Sequence, residues 1–203
     1  MKEFNDIADE LIQAGHCLSA QGLVPATSGN FSARIDDNSM AITVSGAHKG
    51  ELTIDDIMLA GMDGQSLQEG KRPSAETRLH TQLYRRFPHT GAVLHTHSIN
   101  ATLLSRFYGD YLVLENYELL KAFDGIDTHE SRITVPVFAN DQDIARLARR
   151  VDDYMASGGP VYGYLIAGHG LYTWGADVKT AMNYLEAFEY LFTCELKLRE
   201  AKQ

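Results

Sequence analysis

The chain has 203 residues, of which 44% are hydrophobic and 22% charged, a globular balance that excludes a disordered chain. Eighteen Lys and Arg face 27 Asp and Glu, a formal net charge of −9, so no excess of cations is present to displace the counterions of a nucleic acid. A phosphorylated small molecule needs only a local pocket of donors and stays open as a partner.

No Pro/Ser-rich linker, repeat or low-complexity tract divides the chain, so a single domain over 1–203 is expected. Cys17 and Cys194 lie far apart, each in a helical pattern, and read as free thiols. The opening segment MKEFNDIADELIQAG carries acids throughout and no long apolar run. It reads as neither a signal peptide nor a membrane span, and a cytoplasmic protein with no membrane partner is expected.

Phe4, Ile7, Leu11 and Leu18 recur at helical spacing and predict a helix over 4–20. Asn30–Ile35 and Ala41–Ser45 form a strand pair around the turn Asp36-Asp37-Asn38, and Met58–Met62 is a further strand closed by Asp63-Gly64. Pro73 and Ser74 open a helix that runs to Phe87, with Pro88 stopping it. Ala92–His95 is a short apolar strand and Ile99–Phe107 a helix. In the second half, Ile133–Phe138 reads as a strand and Asp141–Met155 as a helix capped by Asp141. A turn follows at Ser157-Gly158-Gly159-Pro160, then strands at Val161–Ala167 and Leu171–Trp174. Asp177 caps a long final helix to Glu200, whose Tyr184, Phe188, Tyr190 and Phe192 read as packing residues. Several strands adjoin directly, which predicts one mixed sheet with helices on both faces.

Leu94-His95-Thr96-His97 ends an apolar strand. Residues i and i+2 of an extended chain project to one side roughly 7 Å apart, so both imidazoles can converge on one divalent ion. Spacing alone fits an unrelated pair at a strand exit equally well. The strongest third ligand is His169, in Ala167-Gly168-His169-Gly170, because it also follows an apolar strand and its glycines let the backbone turn. Three His with an open position is the pattern of a catalytic zinc site. His16, His48, His80 and His89 lack a partner motif, and His129 stays open.

Taken in order, Thr27-Ser28-Gly29-Asn30, Ser45-Gly46, Pro73-Ser74-Ala75-Glu76, His95-Thr96-His97 and Gly168-His169-Gly170 resemble the class II aldolase/adducin-head family, from about residue 4 to 198. Segments 114–123, Val135-Pro136-Val137-Phe138 and 164–175 narrow the likeness to dehydratases in that family that act on a methylthio-ketose phosphate in methionine salvage. The resemblance implies a three-layer α/β/α fold with a central mixed, mainly antiparallel sheet. It also implies one Zn2+ per subunit on His95, His97 and His169, and a homotetramer with active sites between subunits.

Phosphate recognition has its own rationale. Ser28-Gly29-Asn30 and Ser45-Gly46 are turns of small residues, as an anion nest requires, and Ser74 sits at a predicted helix N-terminus. Lys49 follows closely and adds a charge. The family pattern uses these three segments together for the substrate phosphate. Glu76 matches the catalytic carboxylate beside zinc in the family's aldolases, whereas Glu118 matches the acid/base of its dehydratases. Phe123 or Tyr117 is expected to line an apolar cleft for the sulfur. An aldolase or epimerase of fuculose or ribulose phosphate, kept open by Glu76, is the nearest alternative. A non-enzymatic adducin-like domain would have no use for the three histidines.

Overall fold

The computed structural model describes residues 3–158 and 161–202. Helix α1 (Phe4–Ala20) turns Ile7, Leu11 and Leu18 inward along one stripe. Strands β1 (Asn30–Arg34) and β2 (Ser39–Thr43) pair antiparallel across a turn in which Asp36 Oδ1 accepts from the Asn38 N–H at 2.8 Å. There follow β3 (Ile57–Gly61), α2 (Thr77–Arg86), β4 (Ala92–Thr96), α3 (Ile99–Phe107) and β5 (Tyr111–Glu115). The remainder comprises β6 (Arg132–Phe138), α4 (Ile144–Ser157), β7 (Gly163–Ile166), β8 (Gly170–Gly175) and α5 (Val178–Glu200). Both cysteines are free thiols. Among the described residues no helix is long and apolar enough to cross a membrane.

Among the described residues, eight strands form one sheet in the order β3-β2-β1-β4-β8-β7-β6-β5, with β6–β7 as its one parallel pair. Alternation then assigns the faces. Phe31, Ala33, Leu94 and Leu165 pack on one side with Leu11 of α1, Leu104 of α3 and Phe188 of α5. Met40, Ile42, Val93, Tyr164 and Tyr172 pack on the other with Leu79 and Leu83 of α2 and Leu147 and Val151 of α4. The fold is therefore the expected three-layer α/β/α arrangement around a mixed, mainly antiparallel sheet. Each fully buried Leu, Ile or Phe in these two layers contributes about 1.5–3 kcal/mol relative to exposure.

Three details depart from the sequence reading. Helix α2 starts at Thr77, not at Pro73–Ser74, because the Thr77 and Leu79 N–H groups bond the Ser74 and Glu76 carbonyls in tight turns and Pro73 bridges to Val44. The cap of α4 is Asp143, which accepts from the Arg146 N–H at 2.9 Å, while Asp141 instead holds the Arg146 guanidinium. Strand β5 has no counterpart in the sequence reading, which took only 114–123 for its likeness to the dehydratases, although Leu112 and Leu114 are buried and Tyr111 and Glu115 exposed in strict alternation. Of the turn expected over 157–160, Gly159 and Pro160 lie outside the described residues.

Direction along the sheet positions the site. β1 and β8 run antiparallel to β4, so Asn30 pairs with His95, and Leu171 with Thr96, at the C-terminal end of β4. The Ser45–Gly46 turn after β2 lies at that same end. β5 runs opposite to β4, so its C-terminus leaves the sheet at the other end, four places away.

On α5, Glu189 is buried, with Oε2 accepting from Asn100 Nδ2 at 3.3 Å and Oε1 unpartnered. Burial pushes its carboxyl above the usual range despite hydrogen bonds from Ser98 and Asn100. A raised folded pKa gives stability that is full at low pH and lost as pH rises through the folded value. Glu189→Gln is accordingly expected to melt a few degrees above the parent at pH 7, since about 1 kcal/mol moves a chain of this size by ~2–4 °C. Thermal unfolding across pH 4–8 checks this: the gap should close towards pH 4.

Candidate active site

His95 is the penultimate residue of β4 and faces the α2–α4 layer, stacked on its cross-strand neighbour Tyr172 with ring centroids 4.0 Å apart. His97 follows two residues later, just past the strand. His169 sits in the three-residue connection between β7 and β8, where Ile166 pairs with Gly170 and Gly168 takes φ 64°. Gly170 admits no side chain, because a Cβ there would lie 1.9 Å from the Thr96 carbonyl oxygen. That close approach brings the hairpin against β4.

The three Nε2 atoms form a triangle with sides of 2.9, 3.0 and 3.2 Å. Nitrogens bound tetrahedrally to zinc at about 2.05 Å stand about 3.3 Å apart, so the residues fit such an ion. His95 Nδ1–H donates to the Leu171 carbonyl at 2.9 Å, which turns the Nε2 lone pair to the centre of the triangle. Burial holds the His95 imidazole well below its usual pKa and that of His97 at about 4, with the neighbouring imidazoles adding to the shift and Glu76 opposing it. Both rings are thus neutral, as ligands must be.

Glu76 closes the triangle. Its Oε1 lies 3.3 Å from His169 Nε2, and its Oε2 3.3 Å from His95 Nε2. Oε2 also accepts from Asn30 Nδ2 and from the Tyr172 hydroxyl, both at 2.8 Å. Burial alone would raise this carboxyl; the adjacent His95 and His169 and the two hydrogen bonds outweigh it and hold the pKa at about 2.

The expected phosphate segments gather at the same end of the sheet, with modified roles. Ser28 Oγ is buried without a partner. Gly29 has φ 76° and packs on β4, where a Cβ would meet the His95 carbonyl at 2.7 Å. The Ser28 and Ser45 N–H groups are already used, by the Pro25 and Arg72 carbonyls, so neither amide serves an anion nest. Asn30 is also occupied, between Glu76 and His80. Ser45 and Gly46 are exposed, and Ser74 Oγ accepts from the Glu76 N–H at 3.3 Å. Lys49 is 1% exposed, and its Nζ donates to the Thr27 carbonyl at 3.1 Å and the Ala47 carbonyl at 2.6 Å. It ties the first two segments together. Burial lowers its pKa to about 8, against the pull of Asp56, which leaves it charged at neutral pH.

Glu118 is elsewhere. It opens a short 3-10 turn, Glu118–Ala122, after β5, with its side chain 70% exposed and paired to Lys121 and His129. Together with Tyr117, Leu119, Ala187 and Tyr190 it lines an open groove of about 730 Å³. Phe123 is 1% exposed within the core, so it cannot line a substrate cleft in this chain.

Two site residues escaped the sequence reading. Tyr172 contacts both His95 and Glu76, and His80 is buried behind Asn30. A signal existed: Glu76, His80 and Tyr84 recur at four-residue spacing beside the inward Leu79 and Leu83, polar groups where a core stripe should be apolar.

The family model for the class II aldolase and adducin N-terminal domain matches residues 9–196. A methylthioribulose-1-phosphate dehydratase of Methylococcus capsulatus is 55% identical over 201 residues, covering 99% of this chain and 98% of its own. One of Pseudomonas aeruginosa is 56% identical over 193 residues, covering 95% and 94%. Among solved structures, the L-fuculose-1-phosphate aldolase of Thermus thermophilus superposes with a TM-score of 0.78 at 27% identity, over 98% of this chain and 97% of that one. With the match spanning nearly its whole length, the chain belongs to the class II aldolase and adducin N-terminal domain family.

Proposed function

We propose that the chain removes water from 5-methylthioribulose 1-phosphate to give 5-methylthio-2,3-dioxopentyl 1-phosphate, as a zinc-dependent hydro-lyase of methionine salvage in the cytoplasm. The observation that carries this reading is the 55% identity, end to end, to relatives bearing that dehydratase name. In it, His95, His97 and His169 would hold one Zn2+, which would supply Lewis acidity towards the substrate's carbonyl and hydroxyl oxygens. Lys49, Ser28 Oγ, the Ser45–Gly46 turn and Ser74 surround the phosphate, and Gly29 lets the Ser28 turn lie against β4. Glu118, as carboxylate, takes the proton from C3. The C3–H electron pair becomes the C3–C4 double bond as the C4–O bond breaks, and Glu118 returns its proton to the departing hydroxyl, releasing water. The resulting enol then becomes the diketone.

This assignment requires assembly. Within one chain Glu118 touches none of the three histidines, and β5 ends at the other end of the sheet. We assign it to the site of a second copy in a homotetramer with active sites between subunits. The exposed Leu119 and Tyr190 beside it are the apolar surface such a contact would cover.

Glu76 favours a second reading, a sugar-phosphate aldolase or epimerase, because it stands 3.3 Å from two of the imidazoles without help from another chain. Incubation with 5-methylthioribulose 1-phosphate and zinc separates the two. Accumulation of the dioxo product is expected, while cleavage into two smaller carbon fragments would move the chain to the aldolases.

A further inference from the structure

We infer that His80 is a positioning residue for Glu76, acting through Asn30 to keep one carboxylate oxygen turned to the histidine triangle. The inference rests on reading that triangle as a metal centre and not on which sugar phosphate is the substrate.

An ionised carboxylate only accepts, so Asn30 must present its Nδ2 hydrogens to Glu76 Oε2, at 2.8 Å. The Asn30 carbonyl Oδ1 then faces His80 Nε2, which must carry the hydrogen. His80 is fully buried, with its pKa lowered to about 4 by that burial against the pull of Glu76, so the ring is neutral. Its Nδ1 is therefore an acceptor, and the Ser32 hydroxyl, 2.7 Å away, donates to it. Ser32 Oγ in turn accepts from the Tyr84 hydroxyl at 2.8 Å, and the Tyr84 oxygen accepts from the Val93 N–H. Every link has one permitted direction. The relay from Tyr84 through Ser32, His80 and Asn30 ends on Glu76.

Its consequence is geometric. Asn30 and Tyr172 both bond Oε2, which leaves Oε1 turned to His169 Nε2. Without the His80 donor, the Asn30 carbonyl loses its partner and the amide is free to shift, so its Nδ2 no longer holds Glu76 Oε2 in place. A histidine spent only on filling the core has no stake in which tautomer it adopts. Here the tautomer is fixed, because only Nε2–H can donate to the Asn30 carbonyl that the carboxylate has turned towards it.

Two measurements test this. Nitrogen-15 NMR of the imidazoles in the metal-free protein at pH 7 should find His80 neutral and protonated at Nε2; protonation at Nδ1 would overturn the proposal. The second compares zinc release to a chromophoric chelator from the zinc-loaded parent, His80→Leu, His80→Gln and Glu76→Gln. Loss of an outer hydrogen-bond partner weakens metal affinity or activity by about 10–100-fold, and His80→Leu is expected to release zinc about tenfold faster. His80→Gln, which offers an amide donor to Asn30 and a carbonyl acceptor to Ser32, should recover most of the loss. Added to Glu76→Gln, His80→Leu should produce no further change, because the residue it acts through is gone. A tenfold effect that persists in the Glu76→Gln background, or no effect at all, overturns the proposal while leaving the metal reading intact. Should the parent take up no zinc, the metal reading and the proposal fail together, whereas the NMR result still reports on the relay.

Discussion

His97→Ala and His169→Ala are each expected to purify with little zinc and to lose turnover by about 10³-fold or more, since the Lewis acidity of a bound ion is worth several kcal/mol of barrier. Three nitrogens at 2.9–3.2 Å define the centre, and two leave too little to hold the ion. Both side chains are only half-buried, so circular dichroism and the melting temperature should stay near the parent. His95→Ala should lose zinc as completely but also melt lower, because its ring is fully buried against Tyr172. Metal analysis beside turnover is the check. A His169→Ala protein with full zinc and normal turnover would remove that residue from the ligand set.

Glu118→Gln is expected to keep zinc and bind substrate while turnover falls by about 10²–10⁴-fold, the usual contribution of general acid–base catalysis. Gln preserves the shape of the side chain but cannot take a proton near neutral pH. The carboxyl of Glu118 is held below its usual range mainly by the Lys121 hydrogen bond, so a base is available across neutral pH. If the residue serves a neighbour's site, co-refolding inactive Glu118→Gln with inactive His97→Ala should restore activity, because mixed oligomers then contain some sites with an intact triangle and an intact Glu118. No restoration in proven hetero-oligomers would mean that Glu118 works within its own chain or not at all. Glu76→Gln should act through metal retention, with a smaller loss that added zinc recovers. If Glu76→Gln instead abolishes turnover in the zinc-loaded protein while Glu118→Gln stays active, the two roles exchange and the aldolase-like description is the better one.

The histidine triangle was legible in the sequence because its cause is local. A strand puts His95 and His97 on one side, and Gly168 and Gly170 mark a turn that can aim His169. The layered fold was legible for the same reason, since alternation and helical period announce which face each element buries. What was missed depends on distant partners. Asn30 read as part of an anion nest, but its amide is spent between Glu76, 46 residues on, and His80, 50 residues on. Ser74 read as a helix terminus because Pro-Ser commonly is one, yet the bridge from Pro73 to Val44 delays the helix to Thr77. Asp141 and Asp143 are equally good caps by type, and only the competing Arg146 guanidinium decides between them. Glu118 stands apart from these cases. Its position relative to the triangle belongs to the sheet order of one chain and to the packing of several, and neither can be read from the residues around it.

The seat of His169 has a thermodynamic consequence. The hairpin that carries it is clamped to β4 by ladder hydrogen bonds and by the backbone contact that Gly170 permits, so the nitrogens are in place before any ion arrives. An incoming ion has little chain entropy to overcome, unlike one that must fold its own site, and its coordination energy goes into affinity instead. The same stiffness discriminates among ions. A cation that wants six or more oxygen ligands, such as Mg2+ or Ca2+, finds three fixed nitrogens and one carboxylate that cannot spread to accommodate it. An ion content with four ligands, nitrogen among them, finds its coordination sphere almost ready-made.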